Sequence, residues 1–198
     1  MLTFLRHGET TWNREGRIQG TLDIPLSTGG RCSAEKYAAH FQDSGICMIW
    51  TSPLERAKDT ATILATRLRR GTECVFVREL GTLVERDYGI YQGKRLDDLK
   101  PSLLVKEEER IVGDGVEPWH ALQRRVRHAL QVIVTGPSPS VIVVHGGWLK
   151  ALHSLLKTGY HHEDASNLSS YSVERSKVKY MLNKIHAREF CHESTVHG

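Results

Sequence analysis

Two histidines, two arginines and one glutamate draw attention in this 198-residue sequence. Each lies where an apolar run gives way to a turn or a helix start. Arg6 and His7 follow "LTFL", His145 follows "VIVV", and Arg56 lies just inside the segment "IWTSPLERAKDTA". In an open parallel α/β sheet, ligands bind in the crevice beyond the carboxyl ends of the strands, so these side chains are candidates to converge on one pocket. A planar guanidinium pairs bidentately with phosphate oxygens. Two guanidiniums with two imidazoles therefore suit a tetrahedral dianion better than a carboxylate. A neutral imidazole is also a nucleophile, and its attack on phosphorus would split one hard displacement into two easier ones. Nearby arginines help to keep that imidazole neutral, because a further positive charge is disfavoured beside them. The chemistry still needs a proton donor for the leaving oxygen. Glu85, in "LVERDYGIYQGK", is the best-placed carboxyl for that task.

The elements that must position these groups follow from the apolar pattern. Leu2 to Leu5, Ile46 to Trp50, Cys74 to Val77 and Val141 to His145 are short β-branched-rich runs bounded by turn residues, each expected to be a buried strand. Between them, apolar residues recur three and four apart over about Gly30 to Gln42, Pro53 to Arg70, Glu117 to Val134 and Trp148 to Lys157, which predicts helices. Pro53 is expected at the first helical position of its segment. The alternation of strand and helix predicts an α/β protein of three layers, α/β/α, around a mostly parallel central sheet. The glycines after His145, Gly146 first, open a helix whose free N–H groups favour an anion. From Asn167 the tail is expected to add one or two strands and to fray beyond about His186. The charged stretch from Leu96 to Gly115, with "KEEER", is expected to form an exposed helix and loop.

Composition narrows the classes. The length suits a single domain, residues 1–198, with a sizeable core. Hydrophobic residues at 39% and charged residues at 25% are the proportions of an ordinary soluble domain, which argues against disorder or a fibrous class. A formal charge of +4 can help recruit an anionic ligand but is too small to indicate nucleic acid. Cys32, Cys47, Cys74 and Cys191 form no C-x-x-C pair; Cys47 and Cys74 are expected to be buried thiols, and a reducing, cytoplasmic setting is expected. The chain starts on "LTFL" without a charged leader, and no 18-residue apolar run occurs, so neither secretion nor a membrane span is expected. The run "HHED", His161 to Asp164, is read as a polar loop rather than a metal site. No signal for oligomeric state is present.

Five segments, "LRHGETTWN", "GRIQGTLDIPLSTGG", "WTSPLERAKDTA", "ERDYGIYQG" and "VVHGG", resemble in order and spacing the histidine phosphatase superfamily, the phosphoglycerate mutase-like proteins. The resemblance runs from Leu2 to about Ser172. It implies that His7 is the nucleophile that becomes phosphorylated, that Arg6, Arg56 and His145 hold the phosphoryl oxygens, and that Glu85 acts as acid and then as base toward water. It further implies that Asn13 contacts the phosphate and that Gln19, Gly20 and Thr21 border the substrate. No metal and no cofactor are implied, and the partner is a small phosphorylated metabolite. Glu9, adjacent to the nucleophile, is left as a local structural support.

Two positions depart from the family pattern. "GVEP", Gly115 to Pro118, stands where a Gly-Glu-Ser is common, and Trp148 follows "HGG" where a small aliphatic residue is usual. Both are expected to reshape the pocket rim. The cofactor-dependent mutases of the family carry a long insertion between the acid and the second histidine. The short span from Glu85 to His145 therefore favours a phosphatase, resembling the broad-specificity and α-ribazole phosphatases. A phosphoglycerate mutase is the alternative reading. An inactive phosphate-binding or regulatory module is a second alternative, opposed by the presence of all five residues.

Overall fold

The computed structural model describes residues 1–69, 74–99, 113–158 and 166–194, with side chains as far as residue 185. Strand β1 (Leu2–Arg6) is followed by a single turn of helix α1 (Thr11–Arg14), helix α2 (Thr28–Tyr37), strand β2 (Met48–Thr51), helix α3 (Glu55–Leu68) and strand β3 (Phe76–Glu79). Helix α4 (Trp119–Ile133), strand β4 (Ser140–Val144), helix α5 (Gly146–Leu156), strand β5 (Ser170–Val173) and helix α6 (Arg175–Ser194) complete the chain. The sheet order is β3-β2-β4-β1-β5, parallel except for β5, which runs antiparallel to β1.

Alternate residues of the central strands feed two cores, because successive side chains of a strand point to opposite faces. Leu2, Phe4, Ile142 and Val144 pack with Leu122, Val126, Leu130 and Trp148 of α4 and α5. Leu5, Ile49, Val141 and Val143 pack with Ala57, Ala61 and Leu64 of α3. This is the expected three-layer α/β/α arrangement. The register places Arg6 opposite Val144, and the His7 amide donates to the Val144 carbonyl at 3.0 Å. His7 and His145 therefore leave the sheet side by side at its carboxyl edge.

Several expectations need correction. β3 is an edge strand whose four residues are all exposed, with Phe76 at 65% exposure, so its apolar run does not mark a buried strand. Cys47 and Cys74, flanking that edge, are exposed as well. An apolar run has the same composition at the centre or the rim of a sheet, and only pairing decides which. The tail contributes one strand, β5, within the expected one or two, and then a helix, α6, that was not expected. Pro53 precedes the cap residue Leu54 and lies outside α3; the Glu55 amide at the helix start is capped from a distance by Asp23 Oδ1, at 2.6 Å. Residues 100–112, which include "KEEER", and the "HHED" run lie outside the described residues, and only a short 3-10 turn, Leu96–Asp98, is seen from that charged stretch. No helix among the described residues is long and apolar enough to cross a membrane.

Candidate active site

The His7 ring is buried at the end of β1, and its Nδ1 lies 2.7 Å from the Gly8 carbonyl oxygen. That contact assigns the proton to Nδ1 and leaves the lone pair on Nε2. The Gly8 backbone is in turn tight against the start of α2: a Cβ there would come within 3.1 Å of the Gly30 carbonyl oxygen. Close packing with α2, more than access for a ligand, accounts for this glycine.

The His145 ring lies 5.1 Å from the His7 ring, centroid to centroid, and is fully buried, with neither ring nitrogen hydrogen-bonded to protein. Buried polar atoms are normally paired, so two orphaned nitrogens in one ring point to a ligand as their partner. Burial first, and then the charges of Arg56 and Arg6, hold both imidazoles well below their ordinary titration range.

Arg56, on the first turn of α3, is 1% exposed. Its Nη1 donates to the Leu22 carbonyl and its Nη2 to the Gly20 carbonyl, each at 2.7 Å, while Nε is buried with no protein partner. Burial pulls its pKa down to about 10 despite the opposing influence of the Glu85 and Asp23 carboxylates. The Arg6 guanidinium lies against Gly146, where a Cβ would stand 3.6 Å from Arg6 Cζ. The two cations and two neutral imidazoles form a positively charged recess in which Arg56 Nε and the His145 nitrogens lack protein partners, suited to an oxyanion.

Glu85 approaches the same recess from the loop after β3. Its Oε2 accepts from the Gly147 amide at 2.9 Å, and its Oε1 accepts from the Trp148 amide at 3.1 Å and the Arg86 amide at 2.7 Å. The N-terminus of α5, expected to face an incoming anion, thus already holds the Glu85 carboxyl on two of its N–H groups. Gly147 is obligatory for this contact, since a Cβ there would lie 2.6 Å from Glu85 Oε1.

The residues expected to border the substrate divide into two groups. Gly20 and Thr21 flank the recess in the loop tied to Arg56, and Gln92 Oε1 accepts from the Thr21 amide at 2.6 Å and from its hydroxyl at 3.1 Å. Asn13 and Gln19 are instead engaged with Thr10. Asn13 Oδ1 accepts from the Thr10 amide at 3.0 Å in a capping box on α1, and Gln19 Oε1 accepts from the Thr10 hydroxyl at 3.0 Å. Glu9 accepts from Arg14 and Ser27, as a local support would.

Trp148 does not reach the rim. It is fully buried, stacks on Phe4 at 5.7 Å and donates to the Thr82 carbonyl. Pro118 caps α4 and, with Thr21, Val84, Asp87 and Glu117, lines a cavity of about 440 Å3 beside Glu85. Among the described residues, no group of three histidine, cysteine or acidic side chains is placed to hold a metal ion.

Four further polar residues, to which the sequence assigned no role, complete the surroundings. Asn167 Nδ2 donates to the His7 carbonyl at 3.0 Å and lies 3.2 Å from Asn13 Oδ1, joining the segment before β5 to the end of β1. Gln92 clasps the Gly20–Thr21 loop. Arg125 and Glu117 form a half-buried ion pair in the wall of the cavity beside Glu85. None has a spacing that marks it; only the alternation of charge and apolar residues along α4 shows that Arg125 lies beside its buried face.

The profile of the histidine phosphatase superfamily, branch 1, matches residues 2–191. The chain is 30% identical over 162 residues to a metal-independent phosphoserine phosphatase of Arabidopsis thaliana, a match covering 77% of this chain and 66% of that protein. It is 33% identical over 161 residues to a probable phosphoglycerate mutase, GpmB, of Salmonella arizonae, covering 77% and 72% of the two chains. Among solved structures, Bacillus stearothermophilus YhfR superposes with a TM-score of 0.71 at 27% identity, covering 87% of this chain and 91% of that one. With residues 2–191 matched by the family profile and relatives at 30% identity or more over most of its length, the chain belongs to the histidine phosphatase superfamily.

Proposed function

We propose that the protein is a metal-independent phosphomonoesterase that hydrolyses small phosphorylated metabolites through a phosphohistidine at His7. The observation that carries this reading is the pair of buried, facing imidazoles flanked by Arg6 and Arg56, with the His7 Nδ1 turned to the Gly8 carbonyl. Substrate phosphate binds to the two guanidiniums and to His145. His7 Nε2 attacks phosphorus as the bond from phosphorus to the leaving oxygen breaks, and the Glu85 carboxyl gives that oxygen its proton. The leaving alcohol departs through the cavity beside Glu85. Water then enters, Glu85 takes a proton from it, and the new hydroxide attacks phosphorus; the N–P bond breaks and inorganic phosphate is released. The two cations stabilise charge on the equatorial oxygens in both steps. Metal independence accords with the name of the Arabidopsis relative and with a site in which guanidiniums supply the positive charge.

Purified protein in excess chelator is expected to hydrolyse an aryl phosphate and, on rapid quench into alkaline denaturant, to retain a phosphoryl group that is stable to base and labile to acid. His7→Ala is expected to lose both, with a rate loss of at least ~10³-fold. Undiminished turnover in His7→Ala, or turnover that needs an added divalent metal, refutes the mechanism. The mutase reading, supported by the name of the Salmonella relative, is tested in the same assay: a mutase interconverts 2- and 3-phosphoglycerate faster than it releases phosphate. The predicted result is phosphate release without interconversion.

A further inference from the structure

In the wall of the cavity beside Glu85, the Arg125 side chain uses every N–H it has. Nε donates to Glu117 Oε1 at 3.0 Å and one Nη2 hydrogen to Glu117 Oε2 at 2.7 Å, a two-point ion pair. The other Nη2 hydrogen reaches the Glu85 carbonyl at 3.2 Å, and the two on Nη1 reach the Thr82 and Val84 carbonyls at 3.1 and 2.6 Å. Thr82 lies within the 3-10 turn Gly81–Leu83, and Val84 and Glu85 follow it; all three are outside any strand, so no sheet ladder fixes their carbonyls. Arg125 constrains them from α4, which is anchored by the fully buried Leu122, Val126 and Ala129, while the Trp148 indole also donates to the Thr82 carbonyl.

The geometry points to Arg125 as a positioning residue for proton transfer: it fixes the backbone of Glu85 while the N-terminus of α5 fixes the carboxyl. Two helices thus hold one acid from opposite ends. Glu117 completes the device by fixing the guanidinium plane, and its main-chain carbonyl also accepts from Arg86 Nε at 2.9 Å. A lysine cannot replace this arrangement. Its ammonium is a point charge with three donors, whereas the guanidinium spreads five over a rigid plane. The inference rests on the proposed role of Glu85.

The test compares two substrates on the same protein sample, so the fraction of folded enzyme cancels. A nitrophenyl phosphate leaves as a stable phenolate and needs little proton donation; a primary alkyl phosphate needs a proton as it leaves. kcat/KM for both is measured in the full-length wild type, Arg125→Lys, Glu117→Gln and Glu85→Gln. If Arg125 positions the acid, the alkyl-to-aryl ratio falls in Arg125→Lys by on the order of 10- to 100-fold, in the direction of Glu85→Gln, with a smaller fall in Glu117→Gln. An unchanged ratio in Arg125→Lys, whatever its thermal stability, overturns the inference and leaves the residue a structural ion pair. An unchanged ratio in Glu85→Gln overturns the acid role of Glu85 itself, and with it the role given to Arg125.

Discussion

His7 and His145 are kept neutral by burial and by two arginines, and this links the site to the stability of the fold. In the unfolded chain each imidazole takes up a proton as the pH falls through about 6.5; in the folded protein each resists doing so until well below that value. Below pH 6.5 the unfolded state therefore binds more protons, and stability falls as the pH falls, by about 1 kcal/mol per pH unit for each histidine. Urea denaturation between pH 5 and 7 is expected to show this slope, and His7→Gln is expected to lessen it. In the proposed mechanism the same shift keeps His7 neutral in mild acid, so the acid limb of kcat/KM is expected below the ordinary histidine range. Residues at strand exits were legible in the sequence because their motifs fix both type and place. The engagement of Gln19 with Thr10 was not, since spacing gives a side chain's position and not its partner. Asn167 and Arg125 were equally hidden, as each acts on backbone carbonyls far away in the chain.

Individual elements carry the next level of precision. The start of α5 serves the Glu85 carboxyl, and Gly147 leaves room for it. Gly147→Ala is expected to lower kcat/KM for alkyl phosphates by ~10-fold or more, because the added methyl displaces a carboxyl that must be placed to within about 1 Å. The Gly20–Thr21 loop depends on Gln92. Gln92→Ala is expected to raise KM several-fold with a smaller change in kcat, as steady-state kinetics on an aryl phosphate can show. Helices were legible to within a few residues of their ends, the usual limit where caps come from remote side chains such as Asp23. The expected strand of the tail is present, but its helix was missed because "YSVERSKVKYMLNKI" joins a strand to a helix, and only pairing of Ser170–Val173 with β1 separates the two.

For the molecule as a whole, alternation of strand and helix made the layered α/β arrangement legible, while strand order and the exposed edge were not, since both depend on which strands meet. The contrast between rim and centre is measurable. Phe76→Ser on β3 is expected to change unfolding free energy by no more than about 0.5 kcal/mol, whereas Leu130→Ala in the core under α4 is expected to cost about 2–5 kcal/mol, as denaturant titration can compare. The sheet order has one more outcome. β4 lies between β1 and β2, although it enters the chain long after both. A growing polypeptide carries His7 and Arg56 early, yet it cannot close the gap between their strands until residues 140–144 slide in and bring His145 with them. Synthesis thus fills the centre of the sheet and brings the second imidazole beside the first in a single event, so a chain truncated before that point lacks both its central strand and the partner ring of His7.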